Sequence, residues 1–142
     1  MDRIQLWGIL EDRAQQARER YRAKWAAASQ TVARLEANVE RIDAMYRDYE
    51  QRRISREADI HQVQSTQDLR HTQKQLIFLR RKLEQELQAA RAERDQWAAQ
   101  LQKAEQDHLK ARTLQEKAQQ AERQAQARAD QRRMDALSLI HI

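Results

Sequence analysis

The chain has 142 residues, of which 35% are charged and 5% aromatic, with one glycine, no proline and no cysteine. Glycine and proline mark most turns and loops, so this composition excludes a loop-rich enzyme fold and favours long helices. The 27 basic and 22 acidic residues give a net charge of +5 and are intermixed, which indicates a solvated helix surface. Without cysteine there is no disulfide framework, and no apolar run reaches the roughly 18 residues of a membrane span. We therefore expect a cytoplasmic protein with no direct membrane insertion.

The first half of the chain carries apolar side chains at a strict three-four spacing, the pattern of a left-handed coiled coil. Only Glu11 and Arg18 interrupt the repeat. This regularity argues against disorder, the competing interpretation of so hydrophilic a chain. The apolar members are Ile4, Trp7, Ala14, Tyr21, Trp25, Ala28, Val32, Leu35, Val39, Ile42, Tyr46 and Tyr49.

The repeat stops where Arg52, Arg53 and Arg56 occupy the next seam region. We predict a first helix over about residues 2–54, a reversal over 55–66, and a second helix over 67–137. A continuous helix that pairs with another chain is the alternative, because no glycine marks a turn. The candidate helix caps in this stretch are Ser55, Ser65, Thr66 and Asp68.

The second half resumes the repeat at Leu69, with leucines first and alanines towards the C-terminus. We therefore predict an all-α fold, in which two long helices form an antiparallel coiled-coil hairpin. Two registers, one heptad apart, satisfy the packing rule of such a pair. We favour the register that places large residues opposite small ones, for example Trp25 opposite Ala90, because dense packing requires it. The alternative register opposes Trp25 and Trp97.

The helix rise predicts arms of roughly 50 residues and a rod about 75 Å long. The second helix outruns the first by roughly 20 to 25 residues at 1.5 Å each. We expect this overhang to be docked or disordered, because its alanine face buries little. Its last stretch, residues 137–142, is apolar and is either a small docking patch or a frayed, non-native tail.

The sequence contains no residue pattern that indicates catalysis, cofactor binding or metal binding. One glycine cannot form a phosphate-binding loop, and the carboxylates of an open rod have no dry cleft to shift their pKa values. We therefore expect no enzyme, no cofactor and no metal site. Short arginine pairs lack the dense basic pattern of a nucleic-acid reader, so no nucleic acid is expected as a partner. The scattered histidines are His61, His71, His108 and His141.

Aromatic and methionine side chains cluster near the proposed tip of the hairpin, as at protein-binding hot spots. Met45 and Phe78 lie off the seam and are the better candidates for an exposed contact. The other members occupy seam positions, where a plain hairpin core is the competing interpretation. These members are Ile42, Tyr46, Tyr49 and Leu69.

The architecture and the C-terminal segment resemble the FliJ/YscO (HrpO) family of type III secretion stalk proteins. The segment contains Leu114-Gln115-Glu116-Lys117, then Glu122, then Asp130-Gln131-Arg132-Arg133-Met134-Asp135. This is similar to the Leu-Gln-Glu stretch and the Asp-Gln/Glu, basic, Met-Asp pattern that the family's C-terminal helix carries. The short N-terminus and variable tip suit the injectisome branch slightly better than the flagellar branch.

The resemblance implies a non-catalytic coiled coil that couples a hexameric secretion ATPase to the export gate, at the cytoplasmic base of the apparatus. Some members of this family also contact substrate chaperones, so the resemblance implies chaperones as a further class of partner. Carried onto this chain, the tip residues Ile42, Met45, Tyr46, Tyr49, Leu69 and Phe78 would contact the export gate. The residues that would contact the ATPase are Glu122, Asp130, Gln131, Arg132, Arg133 and Met134.

Two other classes of function remain open on the sequence. The first is a structural coiled-coil dimer that acts as a tether or scaffold. The second is a basic, nucleic-acid-associated helical protein, whose binding would weaken steeply with added salt.

Overall fold

The computed structural model describes residues 2–57 and 63–140. It contains two helices, α1 (Arg3–Glu57) and α2 (Val63–Ile140). The helices pack against each other, which confirms the predicted all-α helical hairpin. Asp2 caps α1, because its Oδ1 accepts hydrogen bonds from the backbone N–H groups of Ile4 at 2.6 Å and Gln5 at 3.1 Å.

The four candidate capping residues lie inside the two helices rather than at helix caps. Ser55 lies inside α1, which continues past residue 54 to Glu57, and Ser65, Thr66 and Asp68 lie inside α2. Ser65 Oγ instead receives a hydrogen bond from the Arg56 guanidinium, and Thr66 is buried. The middle of the predicted reversal, residues 58–62, lies outside the described residues.

The chain divides into two compact units, each of which contains a part of both helices. Unit 1 combines Met1–Arg22 with Ala99–Ile142, and unit 2 comprises Ala23–Ala98.

Unit 2 contains the apolar core. Val32, Leu35 and Val39 of α1 pack with Leu87 and Ala90 of α2, and each of these five side chains is buried. These residues are spaced three and four apart on each helix, so each helix presents one narrow apolar stripe to the other. Further buried apolar residues of unit 2 are Ala28, Ile42, Leu69 and Leu76.

The favoured register is wrong, and the helices of unit 2 pack in the alternative one. Arg80 Nε lies 2.6 Å from Asp43 Oδ1, and Arg91 Nη2 lies 3.1 Å from Glu36 Oε1. Both contacts require α2 to be shifted by one heptad from the favoured alignment.

Two physical reasons account for the observed register. An antiparallel pair aligns residues that are equally distant from the ends of the two helices that are consecutive in the chain, and here α1 ends at Glu57 and α2 begins at Val63. In addition, Trp25 does not compete with Trp97 for one seam position, because Trp25 remains 38% exposed. The Lys24 ammonium lies over the Trp97 ring, 4.5 Å from its centroid.

Unit 1 has a thinner seam, built from alanines and polar side chains. Ala104 and Ala111 are buried, and His108 Nε2 lies 3.7 Å from Glu11 Oε1. The approach is close at Gly8, where a Cβ atom would lie 3.0 Å from the side-chain nitrogen of Gln115. The helices therefore meet here through small and polar contacts rather than through a leucine core.

The C-terminal part of α2 is helical through Ile140. From Ala121 onwards, the side chains of the described residues are exposed, except for the half-buried Ala129. The overhang is therefore present as a solvated helix rather than as a disordered segment.

Candidate functional site

The six tip residues all lie in unit 2, but they differ in exposure. Ile42 and Leu69 are buried, Tyr46 and Tyr49 are half-buried, and Met45 is 47% exposed. The buried residues Ile42 and Leu69 belong to the packed interior of unit 2 and do not face solvent.

Phe78 is the most exposed aromatic residue of this set, with 76% of its surface accessible. It lies two residues after the buried Leu76, so the helix periodicity directs its side chain away from the seam. Exposing a large aromatic ring has no benefit for folding, and such a ring commonly anchors a protein contact.

The structure brings Ile42 and Tyr46 together in an open groove between the two helices. Leu76, Ile77 and Arg80 of α2 form the facing wall, and Asp43 completes the lining. Met45 and Phe78 do not line this groove. Sequence reasoning missed Ile77, which is 40% exposed; its position directly beside a seam leucine was the available signal.

A polar network lies beside Tyr49. Glu50 accepts hydrogen bonds from the Arg53 guanidinium and, at 2.5 Å, from Gln73 Nε2. These two bonds, Arg53 first, lower the pKa of the Glu50 carboxyl from its ordinary value of 4.5. Gln73 occupies a seam position and is buried. Its hydrogen bond to Glu50 therefore gives this buried polar side chain a partner.

The predicted ATPase contacts lie in unit 1 and are exposed. Asp130, Arg133 and Met134 share one face of α2, because they are three and four residues apart. Arg133 Nη1 lies 3.9 Å from Asp130 Oδ1. Glu122, eight residues before Asp130, belongs to the same face.

Gln131 and Arg132 project from other sides of the helix, since they are one and two residues after Asp130. Gln131 Nε2 donates to Asp135 Oδ1 at 3.1 Å. The six predicted residues therefore surround the helix and do not form one patch. A contact using all of them requires a partner that encloses α2.

Glu122 differs from the other five, because it lines an open groove shared with the start of α1. Asp2, Arg3, Leu6 and Trp7 line the same groove. The N-terminus of α1 is thereby placed beside the first of the predicted ATPase contacts.

Within residues 2–57 and 63–140, neither helix has a segment apolar enough to cross a bilayer. In the same ranges no cluster of histidine, aspartate and glutamate side chains is arranged to bind a metal ion.

The described residues thus form a helical hairpin on which the predicted tip residues lie in unit 2 and the predicted ATPase-contact residues lie in unit 1. The family model of the flagellar FliJ protein matches residues 9–142. This match covers nearly the whole chain, and the chain therefore belongs to the FliJ family. No curated protein sequence and no solved structure matches it significantly.

Family membership makes the chain a component of the flagellar and type III export apparatus, on its cytoplasmic side. Proteins of the family are structural export components that work with the export ATPase and are not known as catalysts.

Proposed function

We propose that this protein is a non-catalytic stalk that couples a hexameric secretion ATPase to the export gate. The single observation that carries the proposal is the exposed C-terminal helix of unit 1 in a chain of the FliJ family. In the described residues after Ala121 this helix has no apolar core of its own to maintain, so its exposed side chains are accessible to a partner.

On the ATPase side, the contact involves Glu122, Asp130, Gln131, Arg132, Arg133 and Met134. Their distribution around α2 suits a channel that encloses the helix, as the centre of a hexameric ring does. Mixed charge at exposed positions gives contacts of modest strength, since each exposed ion pair contributes only about 0–1 kcal/mol. Such contacts allow the stalk to change partners as the ring turns over ATP.

On the gate side, the contact centres on Met45 and Phe78, the two exposed members of the predicted set. Tyr46 and Tyr49 extend the surface at half-buried positions, and Ile42 and Leu69 support it from the core. An exposed aromatic anchor with an adaptable methionine is a common composition of protein-binding hot spots. Substrate chaperones are a second class of partner for this surface.

The proposal is tested by pull-down with the cognate secretion ATPase and by the rate of ATP hydrolysis. The full-length chain is compared with a truncation that ends at Ala121 and lacks all six predicted contacts. We expect the full-length chain to bind the ATPase and stimulate hydrolysis, and the truncation to do neither.

A charge-reversal pair makes the test specific. Arg132→Glu with Arg133→Glu is expected to weaken ATPase binding at least tenfold. Arg81→Glu with Lys82→Glu makes the same charge change at exposed helical positions of unit 2 and is expected to leave binding within twofold. Equal loss in both variants would indicate unspecific attraction and would contradict the proposed contact.

A further inference from the structure

Unit 1 carries a second surface, an open groove between α1 and α2 that meets the exposed C-terminal helix only at its far end, at Glu122. Trp7, Leu10 and Ala17 of α1 line one wall, and Ala104, Ala111 and Leu114 line the other. Trp7 and Leu114 also line the neighbouring groove that reaches Asp2 and Glu122. The two grooves therefore share residues and form one continuous surface, here called the alanine groove.

The alanine groove leaves large apolar side chains partly exposed to solvent. Leu10 is 36% exposed and Leu6, in the continuation of the groove, is 45% exposed. Between them lies the half-buried Trp7. The alanines of both helices leave space for the backbone of a third helix to approach closely, because interaxial distance depends on side-chain size at the contact.

The length of the groove matches a short helix. The first of its two parts, without the continuation towards Asp2 and Glu122, extends from Trp7 to Tyr21 on α1 and from Gln100 to Leu114 on α2. At 1.5 Å per residue, each wall spans about 21 Å, or about four helical turns. An amphipathic helix of about 15 residues would cover the apolar floor of this first part.

The charged side chains along the groove indicate which charge a bound partner helix would carry. The first part of the groove is lined by Arg13, Lys103 and Lys110, with Asp107 as the opposing charge. In its continuation two basic and two acidic residues balance each other, namely Arg3, Lys117, Asp2 and Glu122. The surplus is therefore basic beside an apolar floor. A helix with an apolar stripe flanked by carboxylates would match both features.

A second copy of this chain fits the groove less well. Two copies related by a two-fold axis would bring the same surface together, because such an interface is self-complementary. Their basic side chains would then face each other and repel. The groove therefore favours a partner of opposite charge over self-association.

We propose that the alanine groove of unit 1 binds one acidic amphipathic helix of a partner protein, which completes a local three-helix arrangement. This contact goes beyond the proposed stalk function, because it requires neither an ATPase ring nor an export gate. It is consequently testable with an isolated helix.

The probe is a stapled 16-residue peptide with leucines on one face and glutamates on the flanks. A matched peptide carries lysine in place of each glutamate. Binding to the full-length chain is followed by the indole N–H signals of its three tryptophans in ¹⁵N-correlated NMR spectra. Trp7 lines the groove, whereas Trp25 and Trp97 belong to unit 2 and serve as internal controls.

We expect the acidic peptide to shift the Trp7 signal and to leave those of Trp25 and Trp97 in place. Lys103→Glu with Lys110→Glu is expected to weaken binding at least tenfold. Lys74→Glu with Lys82→Glu, the same change at exposed positions of unit 2, should alter it less than twofold. The lysine peptide should bind at least tenfold more weakly than the acidic peptide.

Equal shifts of all three tryptophans, equal binding of both peptides, or unchanged binding to the Lys103→Glu, Lys110→Glu variant would overturn the inference. So would concentration-dependent self-association that buries Trp7. Failure here with ATPase binding intact contradicts the groove alone. Loss of ATPase binding with intact peptide binding contradicts the stalk proposal alone.

Discussion

At the scale of single residues, the stability of unit 2 depends on a few buried side chains. Leu35 is 6% exposed and belongs to the cluster with Leu87 and Ala90. We expect Leu35→Ala to lower the free energy of unfolding by about 2–3 kcal/mol, from lost burial and the cavity left behind. The measurement is urea unfolding followed by circular dichroism.

Leu79→Ala is the matched control, because it makes the same chemical change at a residue that is 46% exposed. Its cost should remain below about 0.5 kcal/mol, as for most surface substitutions. Similar losses at the two positions would show that the cluster around Leu35 is not the core of unit 2.

Glu50 provides a residue-scale prediction about protonation. The pKa of its carboxyl is lowered, first by the Arg53 hydrogen bond and then by Gln73. Because the folded-state pKa is depressed, the network stabilises the fold above the unfolded-state pKa. That contribution is lost as the pH falls through the folded-state pKa. We expect Arg53→Met to raise the pKa of Glu50 towards 4.5, measured by ¹³C NMR titration of the carboxyl.

The control for this titration is Arg52→Met. Arg52 pairs with Asp48 at 3.0 Å, so its loss should leave the pKa of Glu50 unchanged. A pKa of Glu50 that does not respond to Arg53→Met would contradict the hydrogen-bond assignment.

At the scale of the helices, the periodicity of the sequence predicted which face of each helix is buried. It did not predict how α1 and α2 are aligned along their length. The repeat through Val32, Leu35 and Val39 identifies the face of α1 that is buried. Either of two heptad shifts buries that face, so periodicity alone cannot choose between them. The register depends on where α1 ends, which is at Glu57. No glycine or proline in the sequence marks that end.

Charged side chains contained the missing information. Asp43 pairs with Arg80, and Glu36 with Arg91, whereas large-to-small packing considered only the sizes of seam residues. Trp25 is partly exposed, so its size was a poor guide to the alignment.

The register is tested by distances between spin labels. The chain contains no cysteine, so labels attach only at introduced sites. We expect Glu36→Cys with Arg91→Cys to give a shorter mean distance than Glu36→Cys with Glu84→Cys. Residue 84 lies one heptad, about 10 Å, nearer the start of α2 than residue 91. The reverse order of the two distances would restore the register favoured on packing grounds.

The exposed end of α2 makes a prediction about stability. Its described residues after Ala121 are exposed apart from Ala129, so little burial is lost when they are removed. We expect truncation after Ala121 to change the free energy of unfolding by less than about 0.5 kcal/mol. Truncation after Lys103, which also removes the buried Ala104 and Ala111, should destabilise unit 1 clearly. Urea unfolding of the two truncations compares them, and a large effect of the shorter deletion would contradict this account.

At the scale of the whole molecule, the sequence predicted the fold class and the family more fully than the site. The lack of glycine and proline, together with the heptad repeat, is sufficient for long coiled-coil helices, and the break in the repeat at Arg52 favours a hairpin over one continuous helix. The contact surfaces depend on which side chains remain exposed after packing, as Phe78 and the buried Ile42 illustrate. The alanine groove was not predicted, because it depends on which apolar and basic side chains of the two helices stay exposed around small residues once the helices pack.

The central claim is that one chain connects the secretion ATPase to the export gate. The direct measurement immobilises the cytoplasmic domain of the cognate export-gate protein and records how much ATPase is retained as this protein is added. We expect retention only in the presence of the full-length chain. The truncation after Ala121 should bind the gate without retaining the ATPase. The Met45→Ala, Phe78→Ala variant should bind the ATPase in solution without reaching the gate. Retention of the ATPase without this protein, or with either variant at the full-length level, would contradict the account.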